Sequence, residues 1–205
     1  MVHYYSEHQT SPLKLRKINA FLRNNNLEFY TGSGIFSPDK VDFGSKLLIE
    51  SCIIKPDWDI LDLGCGYGAV GISIAKAFPR ARVFMTDINK RAVKLALKNI
   101  TLNNIKAEVK QGGLFEKIKE KFDTILVNPP QKAGKEICFS MIEQSFGYLK
   151  DGGLLQLVAR HNKGGKSLKK KMESVFKNIE TMEKKKGYSV YISQKLTTKT
   201  DRKNI

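Results

Sequence analysis

Cysteine and histidine are scarce in this chain, three of each among 205 residues. Cys52, Cys65 and Cys138 are odd in number and show no C-x-x-C spacing, which argues against a disulfide framework and against a zinc site. His3, His8 and His161 are too dispersed to complete a metal cluster, so no metal is expected. The cysteines are expected to be reduced, in or near the core. Long apolar runs are also missing. Nothing approaches the roughly 20 residues of a membrane span, and the first thirty residues lack the apolar stretch of a signal peptide. A cytoplasmic protein without membrane attachment is expected. Acidic residues are few: 20 Asp+Glu face 36 Lys+Arg, giving a net charge of +16 and a pI near 9.7.

What is present suits one ordinary domain, with 41% hydrophobic residues for a core. The positive charge is uneven. From His161 to the end there are 13 Lys/Arg against 4 Asp/Glu, a surplus of nine in 45 residues. A pI above about 9 with clustered lysines is the footprint of a phosphate-backbone partner. A merely solvated, lysine-rich surface is the alternative, and charge alone does not separate the two.

The first forty residues read as mixed: a polar, basic stretch, then FYTGSGIFSPDK, punctuated by Gly32, Gly34 and Pro38. An amphipathic helix is predicted from Lys40, capped by Asp39 or Ser37. Strand-like and helix-like segments then alternate. Strands are predicted at 58–63, 81–87, 106–111, 122–128 and 154–160, and helices at 69–78, 89–104, 135–150 and 165–176. The helix at 135–150 is expected to end at Asp151-Gly152-Gly153. Two short strands at 178–185 and 188–195 flank a turn at Gly187, too short for a parallel crossover. The pattern predicts an α/β, Rossmann-like fold: a seven-stranded, mostly parallel sheet with one antiparallel strand and helices on both faces. Residues 1–39 are expected to form an extension covering the cofactor site, 40–196 the main domain, and 197–205 a disordered tail.

DLGCGYGAVG (62–71) follows a strand and opens a helix. Its glycines permit a tight turn and clear side chains from a ligand, and Gly71 would let the helix approach the strand. The second strand ends on Asp87, where a carboxylate can accept from two ribose hydroxyls. Two cofactor classes fit. Residues 66–71 satisfy G-x-G-x-x-G literally, as for a nicotinamide dinucleotide. Asp62, however, would repel a pyrophosphate and attract the ammonium of a methionine moiety, as in S-adenosylmethionine. GGKS (164–167) is no phosphate-binding loop, because Arg160 stands where the first glycine is required.

Only six prolines occur, and two are adjacent. The apolar strand FDTILV runs into Asn128-Pro129-Pro130, a stiff corner that cannot continue a sheet. In such a fold, ligands sit beyond the carboxyl ends of the strands at the switch in strand order. There the corner could present two acceptors, the Asn128 side chain and the Pro129 carbonyl, to the N–H bonds of a planar amine. That grip would orient the nitrogen lone pair toward an electrophilic methyl and stabilise the charge that develops on nitrogen.

DLGCGYG, TDIN and NPP in this order resemble a class I S-adenosylmethionine-dependent methyltransferase that acts on amines. GSGIFSPDKVDFGSKLL is similar to the G-[VI]-F-S-x-x-x-[LV]-D-x-G-[ST]-x-L-L pattern of the small-subunit rRNA guanine-N2 methyltransferase family. GKEICFSMIEQSFGYLKDGG and HNKGGKSLKK resemble its short archaeal members, which carry only the catalytic domain. The resemblance implies that Asp62, Gly64, Gly66 and Gly68 line the methionine end of the cofactor, Asp87 its ribose and Ile88 its adenine. It also implies that Phe36 and Asp42 help close the pocket and that Asn128, Pro129 and Pro130 hold the target amine. Two positions depart from it. Gly113 stands where an acidic residue often faces the adenine amine, leaving backbone or Leu114 for that contact. Gln131 replaces the aromatic that often follows NPP, so a base would stack on Phe36, Tyr30 or the stem of Lys132.

The expected function is therefore N-methylation of an exocyclic base amine in RNA, with guanine N2 of small-subunit rRNA first. The expected partners are RNA or a ribosomal particle. Adenine N6 in DNA, a protein glutamine amide, an inactive RNA-binding relative and a nicotinamide oxidoreductase stay open.

Overall fold

The computed structural model describes residues 7, 8 and 12–196; the tail 197–205 and the side chain of Lys132 lie outside the described residues. Seven strands form one sheet: β3 (Asp59–Leu63), β4 (Arg82–Asp87), β5 (Glu108–Gln111), β6 (Phe122–Val127), β7 (Leu149–Arg160), β8 (Glu180–Lys185) and β9 (Tyr188–Gln194). Their order is β5-β4-β3-β6-β7-β9-β8. Only β9 runs against the rest, pairing antiparallel with both β7 and β8. The central strands read as unbroken apolar runs because both faces are covered. Ile60, Leu61, Ile125, Leu126, Leu155 and Leu157 are all fully buried. Helices α1 (Phe43–Ser51), α2 (Ala69–Ala77) and α3 (Lys90–Leu102) belong with one core layer, and α4 (Lys135–Tyr148) and α5 (Lys166–Phe176) with the other.

Three local expectations change. Helix α1 begins at Phe43, and its cap is Asp42, whose carboxylate accepts from the Gly44 and Ser45 amides, rather than Ser37 or Asp39. Gly152 and Gly153 do not stop a helix: α4 ends at Tyr148, and the glycines lie inside β7, where its register with β6 is irregular. The third is a hairpin unseen in the sequence, β1 (Leu15–Leu22) with β2 (Asn25–Gly32). Arg23 and Asn24 turn it with φ of 44° and 61°, the mirror-image geometry that matches strand twist. Arginine is a poor signal for such a turn. Here its guanidinium donates to the carbonyls of Ile49 and Cys52 at the end of α1.

The outer edge of β2 meets a helix. Asn99 exchanges two hydrogen bonds with the Tyr30 backbone (2.6 and 2.9 Å), and Asn103 does the same with Glu28 (3.1 and 2.7 Å). The two asparagines lie one turn apart on α3 and meet alternate residues of the strand. They satisfy an edge that would otherwise be open. Leu22, Leu27 and Phe29 of the hairpin are buried in the same core as α1 and α2.

Candidate active site

Strand register builds the site. Leu63 lies level with Thr86 of β4 and with Val127 of β6. One residue further on, Asp87 and Asn128 flank Gly64 at the carboxyl rim of the sheet. They stand two strand spacings apart, about 10 Å. Sheet order reverses at β3, so this is the switch point where the crevice opens. A cavity of about 260 Å³ lies there.

Of the residues proposed from sequence, Asp62, Gly64, Gly66, Asp87, Ile88, Gly113, Leu114, Phe36, Asp42, Asn128, Pro129 and Pro130 all line this one cavity. Gly68 does not. It caps α2 with φ of 91°, and a Cβ there would sit 2.7 Å from Ile72 Cδ1, so its part is to shape the turn. Gly71 has a packing role as well: a Cβ would fall 2.5 Å from Met85 Sδ on β4. Tyr30 lies under Lys98, whose ammonium is 3.7 Å from the ring centroid, and is not part of the wall.

Three carboxylates line the cavity, and two of them, Asp62 and Asp87, stand at the glycine turn. Asp87 stiffens the glycine turn, its Oδ2 accepting from Gly66 N and its Oδ1 from Asn89 N, each at 2.8 Å. A carboxylate has about four acceptor sites, so capacity remains for hydroxyl donors. Burial pushes the Asp87 pKa upward against these two bonds. Asp62 is buried; its Oδ2 accepts from Gly71 N at 2.8 Å, and Oδ1 has no partner among the described residues. Burial pushes its pKa up to about 7, opposed by the Gly71 amide and helped by the neighbouring Asp87 charge. A buried carboxylate with a free oxygen on a cavity wall suits a cationic ligand group.

Phe36 and Ile88, both 39% exposed, offer apolar surface at the cavity for a flat heterocycle. Beside Gly113, Glu116 Oε2 accepts from the Gly113 amide at 3.2 Å, but Glu116 does not itself line the cavity.

At the opposite end, the Asn128 amide is held by its nitrogen. Nδ2 donates to Ser45 Oγ (2.9 Å) and to the Asp42 carboxylate (3.3 and 3.5 Å). A carboxylate only accepts, so the NH₂ must face it, and Oδ1 is left without a protein partner among the described residues. Asp42 therefore serves Asn128 as well as its own helix. Ser45, also in the wall, was not singled out from the sequence, although it occupies the Ser/Thr position of the front pattern. The Pro129 carbonyl is already engaged: it accepts from Gln131 N at 2.8 Å across Pro130 (φ −74°, ψ 76°), an inverse γ-turn. Its second lone pair is what remains for a ligand. Gln131 itself is a clasp, donating to Lys163 O (2.9 Å) and accepting from Arg160 N (3.2 Å).

The chain is 38% identical over 199 residues to the uncharacterized protein YbxB of Bacillus subtilis, covering 95% of this chain and 98% of that one. It is 37% identical over 138 residues to ribosomal RNA small subunit methyltransferase C of Haemophilus influenzae, covering 65% of this chain but 42% of that protein. Among solved structures, the Thermus thermophilus 16S rRNA N2 methyltransferase RsmC, in complex with AdoMet and guanosine, superposes with a TM-score of 0.80. Identity there is 25%, over 92% of this chain and 52% of the other. The chain thus spans about half the length, or less, of the methyltransferases named. The family described as the methyltransferase small domain matches residues 26–192, and the chain belongs to it.

Proposed function

We propose that the protein is an S-adenosylmethionine-dependent methyltransferase acting on an exocyclic amine of a base in RNA, guanine N2 of small-subunit rRNA first. The observation that carries the reading is the Asn128 amide: its donor end is tied down at Ser45 and Asp42, and its acceptor end is left free at the cavity. The names of the Haemophilus and Thermus relatives support the choice of substrate.

The cavity fits S-adenosylmethionine. Asp62 Oδ1 and Asp87 would accept from its ammonium and its ribose, Ile88 and Phe36 would flank its adenine, and Leu114 and Gly113 would meet the adenine's amine edge. When bound, this cofactor supplies an electrophilic methyl on a sulfonium. The chain's own contribution is orientation. Asn128 Oδ1 takes one N–H of the target amine, and the spare lone pair of Pro129 takes the other. Together they direct the nitrogen lone pair into the cavity and stabilise positive charge developing on nitrogen. No strong base is needed before transfer, because the proton becomes acidic only afterwards and leaves to water. We take the segment carrying Phe36, within the expected extension 1–39, to cover the cofactor, with the protein working in the cytoplasm on RNA or a ribosomal particle.

The test is incubation with radiolabelled cofactor and small-subunit rRNA, protein-free and assembled, followed by nucleoside analysis. Label in N2-methylguanosine is expected. Label in neither RNA form contradicts the substrate, and label in N6-methyladenosine contradicts the base.

A further inference from the structure

The surplus of lysines is partly organised around the site. Strand β7 continues three residues past the level of Val127, so its end at Arg160 stands about 10 Å beyond the rim of the crevice. Arg160 pairs with Tyr188, and Tyr188 with Lys185, which brings the Lys184-Lys185-Lys186 turn to the same end of the sheet. Arg160, Lys163 and these three lysines are exposed, and among the described residues none pairs with a carboxylate. The nearest acid in the turn, Glu183, accepts from the Lys184 backbone amide.

Two rings tie this rim to the target corner. The Lys186 ammonium lies 5.4 Å from the Phe43 ring centroid and the Arg160 guanidinium 5.9 Å from that of Tyr188, while the two rings are 5.5 Å apart. Phe43 lies between Asp42 and Gly44 at the start of α1, the helix turn whose Asp42 and Ser45 hold Asn128. From the other side, the Gln131 clasp fixes the Arg160–Lys163 loop directly to the Asn-Pro-Pro corner. Cations held over rings lose less freedom when they meet an anion.

By contrast, two of the four lysines of α5 are less available, while Lys166 and Lys170 are exposed. Lys171 pairs with Glu143 and lies 5.3 Å from the Phe139 ring centroid, and Lys169 is half-buried.

We propose that the RNA strand flanking the target nucleotide runs across this rim, its phosphates on Arg160, Lys163 and Lys184–Lys186, and that the α5 lysines contribute little. The proposal rests on the RNA reading above. It adds where the backbone lies: on the β7–β9 side of the Asn128 corner.

The test compares the wild type, the Lys184→Glu/Lys185→Glu/Lys186→Glu variant and a Lys169→Glu/Lys170→Glu variant. Each is titrated with a short labelled single-stranded RNA over a range of salt, and with S-adenosylmethionine by calorimetry. Losing three phosphate contacts should make the slope of log K against log salt shallower by about 2 and weaken RNA binding about 100-fold at 0.1 M salt. Cofactor affinity should stay within twofold, which also shows that the variant is folded; the matching triple Gln variant should fall in between. The α5 variant should lose less than threefold. Wild-type binding that survives the turn reversal, or an equal loss from the α5 reversal, overturns the rim and leaves the RNA reading standing. A wild type without affinity for RNA overturns both.

Discussion

Asn128 Nδ2 donates to Ser45 Oγ at 2.9 Å, so a residue at the end of β6 is oriented by the first turn of α1, 83 positions earlier in the chain. The hydroxyl does no chemistry in this account. It decides which end of the amide faces the cavity. Ser45→Ala leaves the Asp42 contacts, at 3.3 and 3.5 Å, as the sole restraint on that amide. We expect turnover to fall about tenfold, the effect of losing one modest hydrogen bond, with cofactor affinity unchanged. Steady-state kinetics with separate kcat and KM values check this, and a loss confined to KM contradicts it.

Asp87 joins the glycine turn to the end of β4 through its 2.8 Å bond from Gly66 N. Asp87→Ala removes both the ribose acceptor and this brace. Cofactor Kd should rise by at least about tenfold, the scale of one charged hydrogen bond of 1.5–3 kcal/mol. Calorimetry reads the effect directly, and an unchanged Kd would remove Asp87 from the cofactor site.

Asp62 makes binding pH-dependent. Burial raises its pKa in the folded, free protein to about 7, from an ordinary value near 3.8. The sign is that of a carboxyl whose folded pKa is raised: ionisation costs folding stability, which is lost as pH climbs from about 4 toward 7. A ligand ammonium reverses that preference by favouring the charged form. Cofactor Kd should therefore rise as pH falls from 7.5 to 5.5, approaching about tenfold per unit, with proton release on binding. Asp62→Asn should bind weakly with a flat profile over the same range. A wild-type profile that is already flat contradicts a cation at Asp62.

Asn99, fully buried, holds the Tyr30 backbone and also donates to the Tyr67 carbonyl of the glycine turn at 2.9 Å. Asn99→Ala leaves several buried backbone groups unpaired, at about 1–3 kcal/mol each. We expect a destabilisation of about 3 kcal/mol and a Tm lower by roughly 10 °C for a chain of this size. Thermal unfolding followed by circular dichroism measures it, and a shift under about 2 °C would show that water replaces the amide.

Much of the sheet was legible from residue pattern, and the cavity wall from pattern together with the family resemblance, which alone supplied Phe36, Asp42 and Ile88. The alternation of apolar runs with helical faces carries strand direction, because parallel neighbours need crossovers, and the short Gly187 turn marks the reversed strand. Asp62, Asp87 and Asn128 were visible because each ends or flanks a strand beside a turn signal. What stayed hidden depends on contacts distant in sequence or on single polar contacts. The hairpin of β1 and β2 is half polar because β1 is largely exposed, and its turn uses Arg23, held there by carbonyls at the end of α1. Ser45 and Glu116 matter through one hydrogen bond each, to residues 83 and 3 positions away, and single polar contacts leave no periodicity to read. The lysine-rich end showed its charge but not its arrangement: only folding separates the rim of the β8–β9 turn from the partly paired face of α5.

The most direct measurement is a paired one on Asn128→Ala: S-adenosylmethionine Kd by calorimetry and the single-turnover methylation rate on small-subunit rRNA. The account predicts an unchanged Kd and a rate lower by about 10²–10³, the scale for removing one preorganised polar group. A collapsed Kd with the rate preserved at saturating cofactor would contradict it, placing Asn128 on the cofactor instead of the target amine.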